Sequence, residues 1–124
     1  MESKKSNIQV AITQKFQRNL KKLVKKYRGI REDVQRVIEQ LEAGELPGDR
    51  IPGIEYAIYK VRVRNSDAQK GKSGGYRLIY YVKTLENLIL LTIYSKSQQE
   101  DIQAEDIYQI VIAYDDANRD RPNL

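Results

Sequence analysis

Three cations stand at alternate positions of one short segment: Lys60, Arg62 and Arg64 in the run Ile58-Tyr59-Lys60-Val61-Arg62-Val63-Arg64. Such alternation is the signature of a strand. Tyr59, Val61 and Val63 then face a core, and the three cationic heads share the other face about 7 Å apart. A second strand, Tyr76-Arg77-Leu78-Ile79-Tyr80-Tyr81-Val82, puts Arg77 on the face opposite Tyr76, Leu78 and Tyr80. Lys70 and Lys72 sit in the polar stretch that joins the two. Six cations on one sheet face repel one another, and folding has no use for them. An anion is the expected counterpart; the bland alternative is a merely soluble sheet face.

The chain contains neither His nor Cys. That excludes disulfides, Cys-ligated zinc, thiol nucleophiles, a Ser-His-Asp triad and paired acid/base histidines. If the anion is RNA, the remaining side chains suffice. RNA carries its own nucleophile, the 2′-hydroxyl. An enzyme has to align it, take its proton, neutralise the charge that builds on phosphorus and help the 5′ oxygen leave. Arg makes bidentate, permanently charged contacts to phosphate. A Lys crowded by other cations can act as general base or acid. Tyr can stack on a base or donate a proton. No metal and no cofactor is required.

Other motifs carry less. Gly71-Lys72-Ser73 has the look of a phosphate-loop ending, but Ser66 stands where that loop needs Gly, and a strand follows where it needs a helix. The acid pairs Glu32-Asp33, Glu105-Asp106 and Asp115-Asp116 fall on helices without convergent spacing, so they are expected on solvated faces rather than around a metal.

The charge is segregated. The chain has 22 basic and 17 acidic residues and a net charge of +5. Residues 1–28 balance at +8, residues 29–59 at −4, residues 60–77 at +5 and residues 98–124 at −5. Basic blocks attract polyanions, nucleic acid first. In the first block Lys21, Lys22, Lys25 and Lys26 are candidates for contact with RNA or the ribosome, or simply the wet face of a helix.

The elements that must position these residues read as follows. Residues 7–13 alternate, with Ile8, Val10 and Ile12 in step, as a strand with one buried face. Thr13 caps a helix whose stripe is Phe16, Leu20, Leu23, Val24 and Tyr27, expected to run to about Arg28 and stop at Gly29. Ile30, Val34, Val37, Ile38 and Leu41 form the stripe of a second helix, ended at Gly44. GELPGDRIPG is a loop by composition. After the two strands already described, a tight turn at Glu86-Asn87 leads into a third, NLILLTIY, apolar enough to be central. Ile107, Ile110, Val111 and Tyr114 mark a last helix over about 104–117.

The resulting order is β-α-α-β-β-β-α. It predicts an α+β domain: an antiparallel meander extended by the first strand, with a helical hairpin on one face. The other face is expected to be partly open and basic. The 124 residues make one domain, with a core over about 8–117. No membrane-spanning stretch and no signal peptide is expected from the pattern. The cytoplasm is the expected compartment.

The run KVRVRNSDAQKGKSGGYRLIYYV, followed by LILLTIYSKSQQEDI, resembles the RelE/HigB branch of the RelE/ParE superfamily of bacterial toxin–antitoxin toxins. The G-Y-R-L-I-Y-Y strand behind a basic strand, and the ending I-Y-x-K-x-x-x-x-D-I, carry the likeness. It extends over about residues 8–113. The resemblance implies a RelE-like fold and a metal-independent mRNA interferase. Such an enzyme acts in the ribosomal A site, cuts by 2′-OH attack to leave a 2′,3′-cyclic phosphate, and is held in check by a cognate antitoxin. It implies a catalytic role for Arg77, the Arg of G-Y-R, for Lys60 and Arg62 on the preceding strand, and for Tyr94 and Lys96 of the Y-x-K ending. Arg64, Lys70 and Lys72 extend the RNA-binding surface. The antitoxin is expected to be small, with an acidic, amphipathic, disordered segment that masks the basic face or the groove beside the last helix. Two positions depart from the pattern: Ser97 stands where a second Arg usually follows, and Gln103 where an aromatic usually begins the last helix. A gyrase inhibitor of the ParE kind, or an RNA- or ribosome-binding module without chemistry, are the alternatives on the same fold.

Overall fold

The computed structural model describes residues 7–65, 75–98 and 101–119. Eight elements follow in order: β1 (Gln9–Ile12), α1 (Gln14–Lys26), α2 (Ile30–Glu42), β2 (Asp49–Arg50), β3 (Ile58–Val63), β4 (Tyr76–Thr84), β5 (Asn87–Ser95) and α3 (Ala104–Arg119). The strands form one sheet in the order β1-β5-β4-β3-β2. β1 runs parallel to β5, and every other pair is antiparallel. The fold is the expected α+β arrangement with one strand more, β2.

The helical hairpin arises from local signals. The Thr13 hydroxyl accepts from the Phe16 N–H at 3.0 Å and so satisfies one of the unpaired donors at the start of α1. The same hydroxyl donates to the Leu91 carbonyl at 2.7 Å, which ties the helix start to β5. α1 ends at Lys26, with Tyr27 as its cap, earlier than the stripe alone suggests. Gly29 lies at φ −85° as the N-terminal cap of α2, so it opens the second helix instead of closing the first by a left-handed turn. α2 closes as expected at Gly44. Gly44 N–H donates to Leu41 O and Glu45 N–H to Gln40 O, both at 3.0 Å, a paired closure that needs the left-handed φ of +93° found there.

Two cores lie on the two faces of the sheet. Under the hairpin, Phe16, Leu23, Ile30, Val34, Val37 and Leu41 pack on Val61, Val63, Tyr76, Leu78, Tyr80, Leu88, Leu90 and Ile93. This is the face predicted from strand alternation, Tyr59 included. The other face is only partly open. Ile58, Ile79, Ile89, Leu91 and Tyr94 form a second core with Ile54 and the α3 residues Ile107, Ile110 and Val111. α3 therefore roofs part of the face that charge alone marked as exposed, and the basic side chains are confined to the rest.

Several boundaries differ from the sequence expectation. Leu85 and Glu86 form the β4–β5 turn, and Asn87 already pairs with Thr84. Ile12 is exposed, while Ala11 beside it faces the second core. Asp33 is buried instead of solvated, with Arg36 at 3.9 Å. β2 forms because Gly48 allows close approach: at φ +91°, a Cβ there would stand 2.3 Å from the Lys60 carbonyl oxygen. Asp49 and Arg50 then pair with Lys60 and Tyr59. Tyr80 anchors the same loop through its hydroxyl, which donates to Pro47 O at 2.6 Å, and its ring stacks on Tyr59 at 5.3 Å.

Candidate functional site

The register of the three central strands builds the site. Arg62 of β3 is the partner of Arg77 of β4, and Arg77 is the partner of Tyr94 of β5. Partners in a ladder share a face. Arg62, Arg77 and Tyr94 thus form one row across the sheet, on the face away from the hairpin. Lys60 lies two residues from Arg62 and shares that face. Its own ladder partner, Ile79, already belongs to the second core. The Lys60–Ile79 row is the border between the basic end and the apolar end.

Arg77 is the least exposed cation of the row, at 9%. Its Nη1 reaches the Tyr76 carbonyl only at 3.5 Å, which is outside the usual hydrogen-bond range. Directly across the ladder stands Arg62, another permanent cation. A buried guanidinium beside a second one, with little hydrogen bonding of its own, is a site whose donors are left for an anion.

Lys60 has a partner that the sequence did not suggest. Its Nζ is 3.2 Å from Asp101 Oδ1, which also accepts the Ile102 N–H at 3.0 Å. Asp101 lies in the connection between β5 and α3, and no local pattern relates it to residue 60. Only the tertiary fold, which sets Asp101 beside β3, brings the two together. The sequence cue for Asp101 is its place as the Asp of the I-Y-x-K-x-x-x-x-D-I ending, just before Ile102, which does not say what it touches.

Tyr94 is 4% exposed, and its hydroxyl is buried with no hydrogen-bond partner among the described residues. Burial pushes its pKa up, the Asp101 charge pushes the same way, and Arg77 opposes them. Tyr94 therefore keeps its proton at neutral pH. Its covered oxygen makes it a neutral support beneath Arg77 and Asp101, not an exposed platform for a base.

The remaining expected residues divide. Arg64 is exposed just beyond the end of β3 and continues the row. Lys96 is exposed immediately after β5, with its backbone N–H on Gly75 O at 3.3 Å, so it borders the Arg77 end of β4. Ser97 is tied to Ser95 through their hydroxyls at 3.3 Å, and Gln103 accepts the first backbone bonds of α3. Lys70 and Lys72, with the Gly71-Lys72-Ser73 run, lie outside the described residues. Lys21, Lys22, Lys25 and Lys26 are exposed on α1, which packs on the hairpin face, so they do not join the Arg62–Arg77 row. Lys26 instead sits 5.5 Å over the Tyr27 ring.

Lys22 belongs to a second feature, a groove of about 930 Å³ between α1 and α3 with β5 as its floor. Lys15, Arg18 and Lys22 line the α1 wall, and Ile110, Ala113 and Tyr114 line the α3 wall. Among the described residues, no group of three or more acidic side chains could hold a metal ion, and no helix is long and apolar enough to cross a membrane.

Comparison with protein families matches the chain over residues 8–117 to the family described as the RelE toxin of the RelE/RelB toxin–antitoxin system. Comparison with curated proteins gives no match.

Proposed function

The chain belongs to the RelE toxin family of toxin–antitoxin systems, and from that premise we propose that it is a ribosome-dependent mRNA endonuclease. The observation that carries the reading is the Arg62–Arg77–Tyr94 row, with Arg77 sunk into the sheet and its guanidinium weakly bonded to the protein. Two guanidiniums across one ladder match the non-bridging oxygens of a single phosphate. They act on charge that grows as the 2′ oxygen adds to phosphorus, so they stabilise the transition state more than the bound substrate. Arg64 and Lys96 hold the flanking phosphates. Tyr94, neutral and covered, keeps the floor of the site rigid beneath Arg77.

Among the described residues, nothing on the part of the face that α3 leaves uncovered bends an RNA chain into in-line geometry. The ribosome supplies that alignment in this reading. The cytoplasm, where ribosomes and mRNA meet, is the matching compartment. Brief expression followed by mapping of cellular mRNA ends tests it. Cyclic-phosphate ends inside codons are expected; DNA damage with intact mRNA would move the chain to gyrase inhibition instead.

Membership of the family implies a cognate antitoxin. We assign its masking segment to the α1–α3 groove. Lys15, Arg18 and Lys22 favour acidic side chains, and Ile110 and Ala113 favour apolar ones. An acidic amphipathic segment, disordered when free, satisfies both and can be degraded to release the toxin.

A further inference from the structure

We infer that Asp101 and Lys60 are the proton acceptor and proton donor of the cleavage reaction, coupled through their 3.2 Å contact. The inference rests on the RNA-cleaving reading and adds to it the two groups that move protons. A surface built only to hold a polyanion gains nothing from a carboxylate, because that charge repels the ligand. Yet Asp101 is held against the cation row by Lys60 Nζ and by the Ile102 N–H at 3.0 Å. Arginine does not exchange its proton near neutral pH, the Tyr94 hydroxyl is covered, and the chain has no His. Asp49, the ladder partner of Lys60 on the edge strand, is another acid near this end, but the lysine ammonium is turned to Asp101. Lys60 is one strand repeat from Arg62, about 7 Å along the chain. A phosphate on Arg62 and Arg77 thus brings its sugar oxygens beside the Lys60–Asp101 pair.

The step balances within this pair. The 2′-hydroxyl proton passes to the Asp101 carboxylate as the 2′ oxygen attacks phosphorus. The P–O2′ bond forms and the P–O5′ bond breaks. The Lys60 ammonium gives its proton to the departing 5′ oxygen. The products are a 2′,3′-cyclic phosphate and a 5′-hydroxyl. The proton on Asp101 then crosses to the Lys60 amine, and the ion pair is restored without a metal or a co-reactant.

Single-turnover cleavage of mRNA on programmed ribosomes tests the assignment with the full-length protein. Asp101 is exposed, so its variants should fold. Asp101→Asn should slow cleavage by about 10²–10⁴-fold, the usual range for a general base, with ribosome binding undiminished. Added formate should restore part of the rate to Asp101→Ala, which a merely structural role would not allow. Lys60→Ala should be slow on ordinary mRNA but recover when the scissile 5′ oxygen is replaced by sulfur, which departs without a proton. Asp101→Asn should gain no such relief. An Asp101→Asn toxin that cuts at the wild-type rate or faster would make Asp101 a mere counter-charge and overturn the inference. So would a Lys60→Ala defect that sulfur leaves untouched. If the wild-type protein leaves ribosome-bound mRNA intact, the RNA-cleaving reading falls as well, so the wild-type lane separates the two failures.

Discussion

Replacing Arg77 by Ala should separate stability from activity, and the structure sets both magnitudes. The bond from Arg77 Nη1 to Tyr76 O, at 3.5 Å, is long enough that its loss costs at most about 0.5 kcal/mol. The packed aliphatic stem of a side chain only 9% exposed contributes about 1–2 kcal/mol. Against these stands relief from Arg62, its ladder partner. Two guanidiniums roughly 6 Å apart, at an effective dielectric of about 50 between protein and water, repel by about 1 kcal/mol. The net loss is about 1 kcal/mol, a fall in Tm of roughly 3–5 °C for a domain of this size. The catalytic loss is of another order. Removing one donor from a developing oxyanion costs about 2.7–4 kcal/mol, or roughly 10²–10³ in rate. Arg77→Lys should fall between wild type and Ala, since it keeps the charge and loses the bidentate fork. Thermal unfolding followed by circular dichroism, set beside growth arrest on induction, reads both quantities. A fully toxic Arg77→Ala protein would refute the site. A variant that is non-toxic because it unfolds some 15 °C early would instead make Arg77 a structural residue and remove it from the site.

Three further outcomes follow from particular contacts. Gly48→Ala forces a left-handed φ on Ala and a clash with Lys60 O, so it should cost about 2–4 kcal/mol by denaturant unfolding and loosen β2; an unchanged midpoint would contradict the role given to that loop. Burial raises the pKa of Tyr80, Tyr81 and Tyr94 above the ordinary 10.0. The folded state therefore holds these protons longer than the unfolded chain, and stability should be level below pH 10 and fall as the pH rises beyond it; stability that increases there would show that the sign is wrong. The antitoxin should associate with a rate that drops steeply with salt, and the triple variant Lys15→Ala, Arg18→Ala, Lys22→Ala should slow association. If instead only the Lys60/Arg62/Arg64 triple Ala variant does so, the masking segment lies on the sheet face and not in the groove.

Local signals made most of the fold legible. Thr13, the two apolar stripes and Gly44 define the hairpin, and strict alternation in β3 and β4 sorts their side chains to the correct faces. What escaped depends on tertiary closure. β2 is two residues long and exists because Gly48 lets the loop touch β3, a contact with no periodic trace. The roofing of half the basic face by α3 could not be read from charge, since the apolar residues of that face, Ile79, Ile89 and Leu91, look in sequence like part of a continuous apolar run. The same holds for the site. The cation row could be read because it repeats every second residue within a strand. The contact of Lys60 with Asp101 could not, because it spans 41 positions of chain. The covered state of the Tyr94 hydroxyl is likewise a property of packing, not of the Y-x-K pattern.

In the proposed function the Arg62–Arg77 row cuts RNA presented by the ribosome. The most direct measurement adds purified protein to ribosomes carrying a defined mRNA with an empty A site, and maps both new ends. A cut within the A-site codon is expected, leaving a 2′,3′-cyclic phosphate and a 5′-hydroxyl. The cut should appear with wild-type protein, persist when free divalent metal is chelated and polyamine keeps the ribosomes whole, and be lost with Arg77→Ala. Intact mRNA in the wild-type reaction, or equal cutting of the same mRNA without ribosomes, would contradict it.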